Sequence, residues 1–258
     1  MTTADLITEG LTADISGWDF SRWGDRMRTE HPWDYPAIVA DLASTADSLL
    51  DLGTGGGEWL SRLLAPARPP LVVATEGWAP NVPVAAKRLR PVGVPVVWVD
   101  AAPDNVKQHK PPTAFLPFRD ASFDVVNARH ESYVAGEVAR VLKPGGVFVT
   151  QQVHDVWIDR MARILGLTPP APSGWERDLA VGQLRRARLY TVEGGAGTVT
   201  TWFADVAPLI WYVRLTGWVF PGFDPASGPW TEIQARIERD GPLPLREPGR
   251  WWLAAVKR

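Results

Sequence analysis

Seven consecutive residues carry the sharpest chemical signal in the sequence: Asp51-Leu52-Gly53-Thr54-Gly55-Gly56-Gly57. The apolar run from Ser48 to Leu52 reads as a strand, and Glu58 to Leu64 has helical spacing. A glycine-rich turn between strand and helix lets the backbone approach a ligand where any Cβ would obstruct it. A dinucleotide fingerprint starting at Gly53 needs a glycine where Glu58 stands, and an acid at the helix start would oppose a pyrophosphate. The alternative, acid-x-G-x-G-x-G, is met by Asp51, Gly53, Gly55 and Gly57. It suits a ligand with a cationic amino-acid end and no phosphate.

Further candidate groups stand at the ends of later strands. Leu71 to Glu76 is a β-branched strand closing on an acid, and Val94 to Val99 leads to Asp100. A fourth strand, Phe123 to Asn127, runs into Ala128-Arg129-His130, and a fifth, Gly146 to Thr150, into Gln151-Gln152-Val153-His154. Ligands of open α/β sheets bind outside the carboxyl ends of the strands. His130 and His154, two of four histidines, are therefore the candidate general bases, each set against a role as pocket wall. Glu131 is adjacent and could hold the tautomer of His130, and Arg129 is read as the partner of a carboxylate.

Helices must connect these strands. Val82 to Leu89 and Tyr133 to Leu142 have the required spacing, and strands alternating with helices imply crossover units and a mostly parallel sheet. Beyond the fifth strand, Trp175 to Leu189 reads as a helix whose Arg185, Arg186 and Arg188 form a solvated face. Asp205 to Thr216 reads as a second, apolar helix. Thr231-Glu232-Ile233-Gln234 has capping-box spacing for a helix stopping at Gly241, and Trp251 to Val256 is a final strand. With 258 residues, 45% of them hydrophobic, one decorated domain is expected. Its parts are an N-terminal cap (1–44), a ligand-binding core (45–155), a C-terminal half (156–250) and the last strand (251–258).

The glycine motif resembles motif I of class I S-adenosylmethionine-dependent methyltransferases. Glu76, nineteen residues beyond Gly57, is similar to that family's acid for both ribose hydroxyls. Leu116-Pro117-Phe118-Arg119-Asp120-Ala121-Ser122-Phe123-Asp124-Val125-Val126 matches its loop and fourth strand, and Val141-Leu142-Lys143-Pro144-Gly145-Gly146 the turn into the fifth. The resemblance covers roughly residues 45–155 and the terminal strand. It implies a Rossmann-like, seven-stranded, mostly parallel α/β fold with an N-terminal helical cap and a lid inserted before the last strand. It also implies cofactor contacts from Asp51, Gly53, Thr54, Gly55, Glu76, Gly77, Asp100, Ala101, Asn127 and Arg129. Many relatives carry an Asp-Ala pair just before the Leu-Pro-Phe segment, where this chain has Pro112-Thr113. The adenine contact is therefore carried onto Asp100-Ala101, with residues 103–112 as an insertion.

Composition narrows the remaining choices. Cysteine is absent, which removes disulfide scaffolds, thiolate metal sites and cysteine nucleophiles, and methyl transfer itself requires no metal. The net charge of −2 and the lack of an Asn-Pro-Pro-aromatic motif after the fourth strand disfavour nucleic acid as substrate. No uncharged apolar run approaches 18 residues, so a cytoplasmic protein without membrane partners, monomeric or homodimeric, is expected. The 14 tryptophans outnumber Phe and Tyr together, and those flanking the core suit a flat, apolar ligand. Trp18, Trp23, Trp33, Trp202, Trp211, Tyr212 and Trp218 are the candidate substrate contacts. The expected reaction is methyl transfer to O, N or C of a small, aromatic or polyketide-like molecule of specialised metabolism, with S-adenosylhomocysteine as product. The rival reading is a protein that binds the cofactor without transferring its methyl group, as a cyclase or binding module.

Overall fold

The computed structural model describes residues 1–15, 18–64, 68–100, 102, 105, 115–154 and 156–258. Its strands hydrogen-bond in the order β1-β7-β8-β6-β5-β2-β3-β4. They are β1 Met27–Glu30, β2 Ser48–Leu52, β3 Leu71–Glu76, β4 Val96–Trp98, β5 Phe123–Arg129, β6 Leu142–Gln152, β7 Leu189–Phe203 and β8 Leu243–Lys257. Pairing is parallel from β6 through β5, β2 and β3 to β4, and antiparallel between β6 and β8 and between β1 and β7.

Among the described residues eight strands stand where seven are expected, and the cap expected to be helical contains one of them. Met27 to Glu30 pairs with Phe203 back to Thr200. Met27 alone of the four is buried, so the segment has too little apolar alternation to be read as a strand locally. The long β7 follows the helix Arg177–Arg186 in a segment to which the sequence assigns no element. A Cβ on Gly194 would stand 2.8 Å from the Trp252 carbonyl oxygen, and one on Gly195 2.9 Å from the Trp252 indole nitrogen. These glycines mark close backbone approach inside a strand.

The chain groups into two compact units. The first comprises residues 33–153, 173–196 and 250–258. Here side chains of successive strand residues enter opposite layers, as the pleat requires. Leu50 and Leu52 pack with Val126, Phe148, Leu184 and Trp251, while Leu49 packs with Tyr35, Val39, Leu60 and Val149. The helices of this unit are α2 Tyr35–Ser44, α3 Glu58–Leu63, α4 Asn81–Leu89, α5 Ala135–Val141 and α7 Arg177–Arg186. Arg185 and Arg186 on α7, and Arg188 after it, are exposed.

The second unit comprises residues 1–32, 154–172 and 197–249, with α1 Thr3–Thr12, α6 Val156–Ile164, α8 Val206–Leu215 and α9 Trp230–Asp240. Gly10 lets α1 lie against α8, since a Cβ there would come within 2.7 Å of the Ala207 carbonyl oxygen. Arg26 bridges Glu9 and Asp205 at 2.9 and 2.7 Å. The capping box expected at Thr231 does not form, because Pro229 takes the N-cap position of α9 without a side-chain cap. Gln234 instead accepts from the Val206 amide at 3.1 Å, and Gly241 ends the helix as expected.

Candidate functional site

Strand β2 delivers Asp51 and Leu52 to the turn, and Gly53, Gly55 and Gly57 adopt φ of 62°, 63° and 77°. These values fall in the left-handed region that glycine alone enters without penalty. The turn is pinned to β3: the Thr54 amide donates to the Thr75 carbonyl at 2.8 Å, and the Gly55 amide to Glu76 Oε2 at 2.6 Å. Glu76 Oε1 accepts from the Trp78 amide at 2.8 Å, so this one carboxylate joins the glycine turn to the chain leaving β3. Each oxygen retains acceptor capacity for a further donor. Burial raises the Glu76 pKa, opposed by these amide bonds.

Beneath the turn lies a buried polar network. Asn127 donates from Nδ2 to Asp51 Oδ1 at 2.5 Å, and the Tyr35 hydroxyl donates to Asn127 Oδ1 at 2.7 Å. Burial pushes Asp51 up to about 6 despite the Asn127 bond. Arg129, at the end of β5, stacks on Trp59 with 5.6 Å from guanidinium to ring centroid. Burial, reinforced by Arg250 and Arg62, brings it down to about 10, against the attraction of Tyr35 and Asp51.

A cleft opens beside the turn. Its walls include Gly53, Thr75 and Gly77, then Val99 and Asp100 beyond β4, and Glu131, Ser132, Tyr133 and Glu137 beyond β5. Asp100 is among the lining residues, whereas Ala101 lies outside the described residues. Asn127 is fully buried as the link between Asp51 and Tyr35.

His130 has a positive φ of 59° and an exposed ring. Its Nε2 lies 2.9 Å from the Gln151 amide nitrogen and 3.1 Å from Arg250 Nη1. Arg250 can only donate, so Nε2 is the acceptor and the neutral ring carries its proton on Nδ1. Gln151 and Arg250 therefore set the tautomer, while the neighbouring Glu131 turns its side chain toward Gly53. His154 belongs to the second unit, where its Nδ1 accepts from the Val156 amide at 3.2 Å and its ring packs on Gly249. Each imidazole thus has its single neutral lone pair engaged within the protein.

The aromatic candidates separate by unit. Trp33 is in the first and donates to Gln151 Oε1 at 2.7 Å. In the second, Trp18 contacts Trp218 at 5.8 Å and Phe20 at 6.3 Å, and Phe20 reaches Trp211 at 5.4 Å and Tyr212 at 6.2 Å. Trp23 joins through Trp211 at 6.0 Å. Trp23 and Trp211 are buried, whereas Trp218 is 68% exposed. Trp202 stands apart, on β7, with Arg28 over its ring at 5.9 Å. Glu131, Gln151 and Arg250 gave little advance notice: their roles depend on contacts across the sheet rather than on any local motif.

Residues 50–150 match the model of a family described as a methyltransferase domain. Comparison with curated proteins returned no significant sequence match. Among solved structures, the chain is similar to a protein assigned as a methyltransferase from Bacillus halodurans C-125, at 19% identity and a TM-score of 0.52, covering 86% of this chain and 96% of that one. The YcgJ protein from Bacillus subtilis is similar at 16% identity and a TM-score of 0.52, covering 86% and 97%. The [4+2]-cyclase SpnF is similar at 18% identity and a TM-score of 0.50, covering 86% and 80%. At these identities the likeness is one of fold.

Proposed function

We propose that this chain, a class I S-adenosylmethionine-dependent methyltransferase by its domain and its fold, methylates an O, N or C atom of a small aromatic or polyketide-like metabolite in the cytoplasm. The cofactor suits the donor set. Asp100, Glu131 and Glu137 line the cleft and no Lys or Arg does so among the described lining residues, which favours a cationic ligand. The buried Glu58 at the start of α3 would repel a phosphate.

Gly55 would admit the cofactor's amino-acid end, the space at Gly53 being taken by the Glu131 side chain, and Glu76 would accept the ribose hydroxyls with its remaining lone pairs. Asp100 would meet the adenine. Arg129, half-buried over Trp59, would hold the methionine carboxylate. When bound, S-adenosylmethionine supplies an activated methyl group, so the protein's task is to align an acceptor and exclude water. With the lone pairs of His130 and His154 both engaged, positioning carries the reaction in this conformation, and either ring must release a bond to take a proton.

The observation that carries the substrate class is the aromatic cluster of Trp18, Phe20, Trp23, Trp211, Tyr212 and Trp218, buried at one end and exposed at Trp218. Such a surface suits a flat apolar molecule. The test is incubation with labelled S-adenosylmethionine and a panel of aromatic, polyketide and aliphatic acceptors, followed by mass spectrometry of both products. Methylated aromatic product with stoichiometric S-adenosylhomocysteine supports the reading. Turnover of aliphatic acceptors alone overturns the substrate class, and rearranged product without S-adenosylhomocysteine assigns the protein to cofactor-dependent cyclisation.

A further inference from the structure

Among the acids that line the cleft, Glu131 packs its side chain against Gly53 of the glycine turn. A Cβ built on Gly53 would stand 2.3 Å from Glu131 Cγ and 2.5 Å from its carboxyl carbon and Oε2. The side chain thus fills the space that the glycine leaves open. Its own backbone is fixed from β6, where Gln152 Nε2 donates to the Glu131 carbonyl at 2.9 Å. We infer that Glu131 is the group by which the site distinguishes the charged cofactor from its uncharged product, releasing a proton when S-adenosylmethionine binds and keeping it when S-adenosylhomocysteine binds.

The groups around this carboxyl are mostly acids. Asp51 faces it from β2 and Glu76 from β3, and both repel its charged form. The Ser132 amide is a hydrogen-bond donor that favours the charged form. Across the cleft stand Asp100 beyond β4, and Tyr133 and Glu137 from the α5 side; Glu137 is tied to Arg140 at 2.7 Å. His130 precedes it in sequence and is held by Gln151 and Arg250. Burial, then Glu76 and Asp51, push the carboxyl up to about 7, so the proton is poised near neutrality.

Cofactor and product share the adenosine, the ammonium and the carboxylate, and differ at sulfur, a sulfonium in one and a thioether in the other. A sulfonium in this cleft stabilises the carboxylate, so Glu131–COOH becomes Glu131–COO⁻ and one proton goes to solvent. A thioether brings no such field, and the carboxyl stays neutral. Transfer of the methyl group removes the charge that holds Glu131 ionised, so reprotonation accompanies product formation. Mildly acidic conditions then oppose cofactor binding and leave product affinity unchanged, so the product competes better at low pH.

The test is isothermal calorimetry of both ligands in buffers of different ionisation enthalpy, from pH 6 to 8, on the parent and on Glu131→Gln. At pH 7, S-adenosylmethionine should release about half a proton more than S-adenosylhomocysteine. The Kd for S-adenosylmethionine should weaken about tenfold more than that for the product between pH 8 and pH 6. Both differences should vanish in Glu131→Gln. Equal proton release by the two ligands in the parent overturns the inference whatever the variant does, and so does a difference that survives the substitution. Failure of the parent to bind either ligand overturns the cofactor itself, an outcome distinct from equal release.

Discussion

The indole nitrogen of Trp33 donates to Gln151 Oε1 at 2.7 Å, and this single bond decides which way the Gln151 amide faces. An indole N–H has no acceptor capacity, so Oε1 must be the oxygen and the NH₂ group must point at His130 Nε2, 2.9 Å away. Arg250 reaches the same nitrogen at 3.1 Å. A tryptophan ahead of the core thereby fixes the tautomer of a histidine nearly one hundred residues later.

Replacing Gln151 by Glu reverses the logic at that nitrogen. The new carboxylate accepts where the amide donated, so Nε2 should take up a proton and the ring should become an imidazolium over a wider pH range. Nitrogen-15 spectra of the ring report this directly. The parent should show a neutral Nδ1–H tautomer at pH 8, and persistence of that tautomer in Gln151→Glu would contradict the hydrogen-bond assignment.

Asp51 predicts an uncommon pH dependence of stability. Its folded pKa, about 6, lies above the ordinary carboxylate value near 3.9, so the folded chain holds the proton more tightly than the unfolded one. Stability from this group is full below about pH 4 and is lost as pH rises through about 6. Asp51→Asn keeps an oxygen for the Asn127 bond and removes the charge. It should raise the ligand-free protein's stability at pH 7 by ~2–3 kcal/mol, with little change at pH 4, while weakening cofactor binding. Denaturant titrations at the two pH values measure it; equal effects at both would exclude Asp51 as the source.

Glu76→Ala should weaken S-adenosylmethionine by ~2–4 kcal/mol in calorimetry. The structure adds a second readout, because the same carboxylate holds the Gly55 and Trp78 amides. Hydrogen exchange at those two amides should accelerate in the variant while the β2–β5 ladder stays protected. Unchanged affinity would remove Glu76 from the cofactor site.

Gly53→Ala meets two obstacles, the positive φ of 62° and the Glu131 side chain. The left-handed conformation should cost about 1–2 kcal/mol and the crowding about 1–3 kcal/mol more. Adding Glu131→Ala should relieve the crowding but not the conformational cost, so the pair should be non-additive. Additive losses across the thermal-melt cycle would mean that Glu131 does not lie on the turn in solution.

The strands around the glycine turn were legible because local chemistry dictates them. The glycines of Asp51 to Gly57 announce a tight turn after a strand, and the runs at 71–76 and 123–127 are β-branched enough to announce strands. Strand β7 went unassigned because Gly194 and Gly195 interrupt any strand pattern until Trp252 is known to lie against them. The capping box at Thr231 misled because Gln234 has a stronger long-range use at the Val206 amide. Arg250 was silent for a similar reason: nothing near it in sequence indicates His130, 120 residues away.

Arg129 has no hydrogen bond or ion pair among the described residues, only the face of Trp59 and the fields of its neighbours. The guanidinium is half-buried without a protein anion beside it, so part of its desolvation penalty falls on folding rather than on binding. A carboxylate reaching it meets a cation that has already lost part of its hydration and has only the Trp59 face beside it. Affinity at this position and stability of the empty protein are thus set against each other, and substitutions selected at Arg129 for a higher melting temperature should select against anion binding.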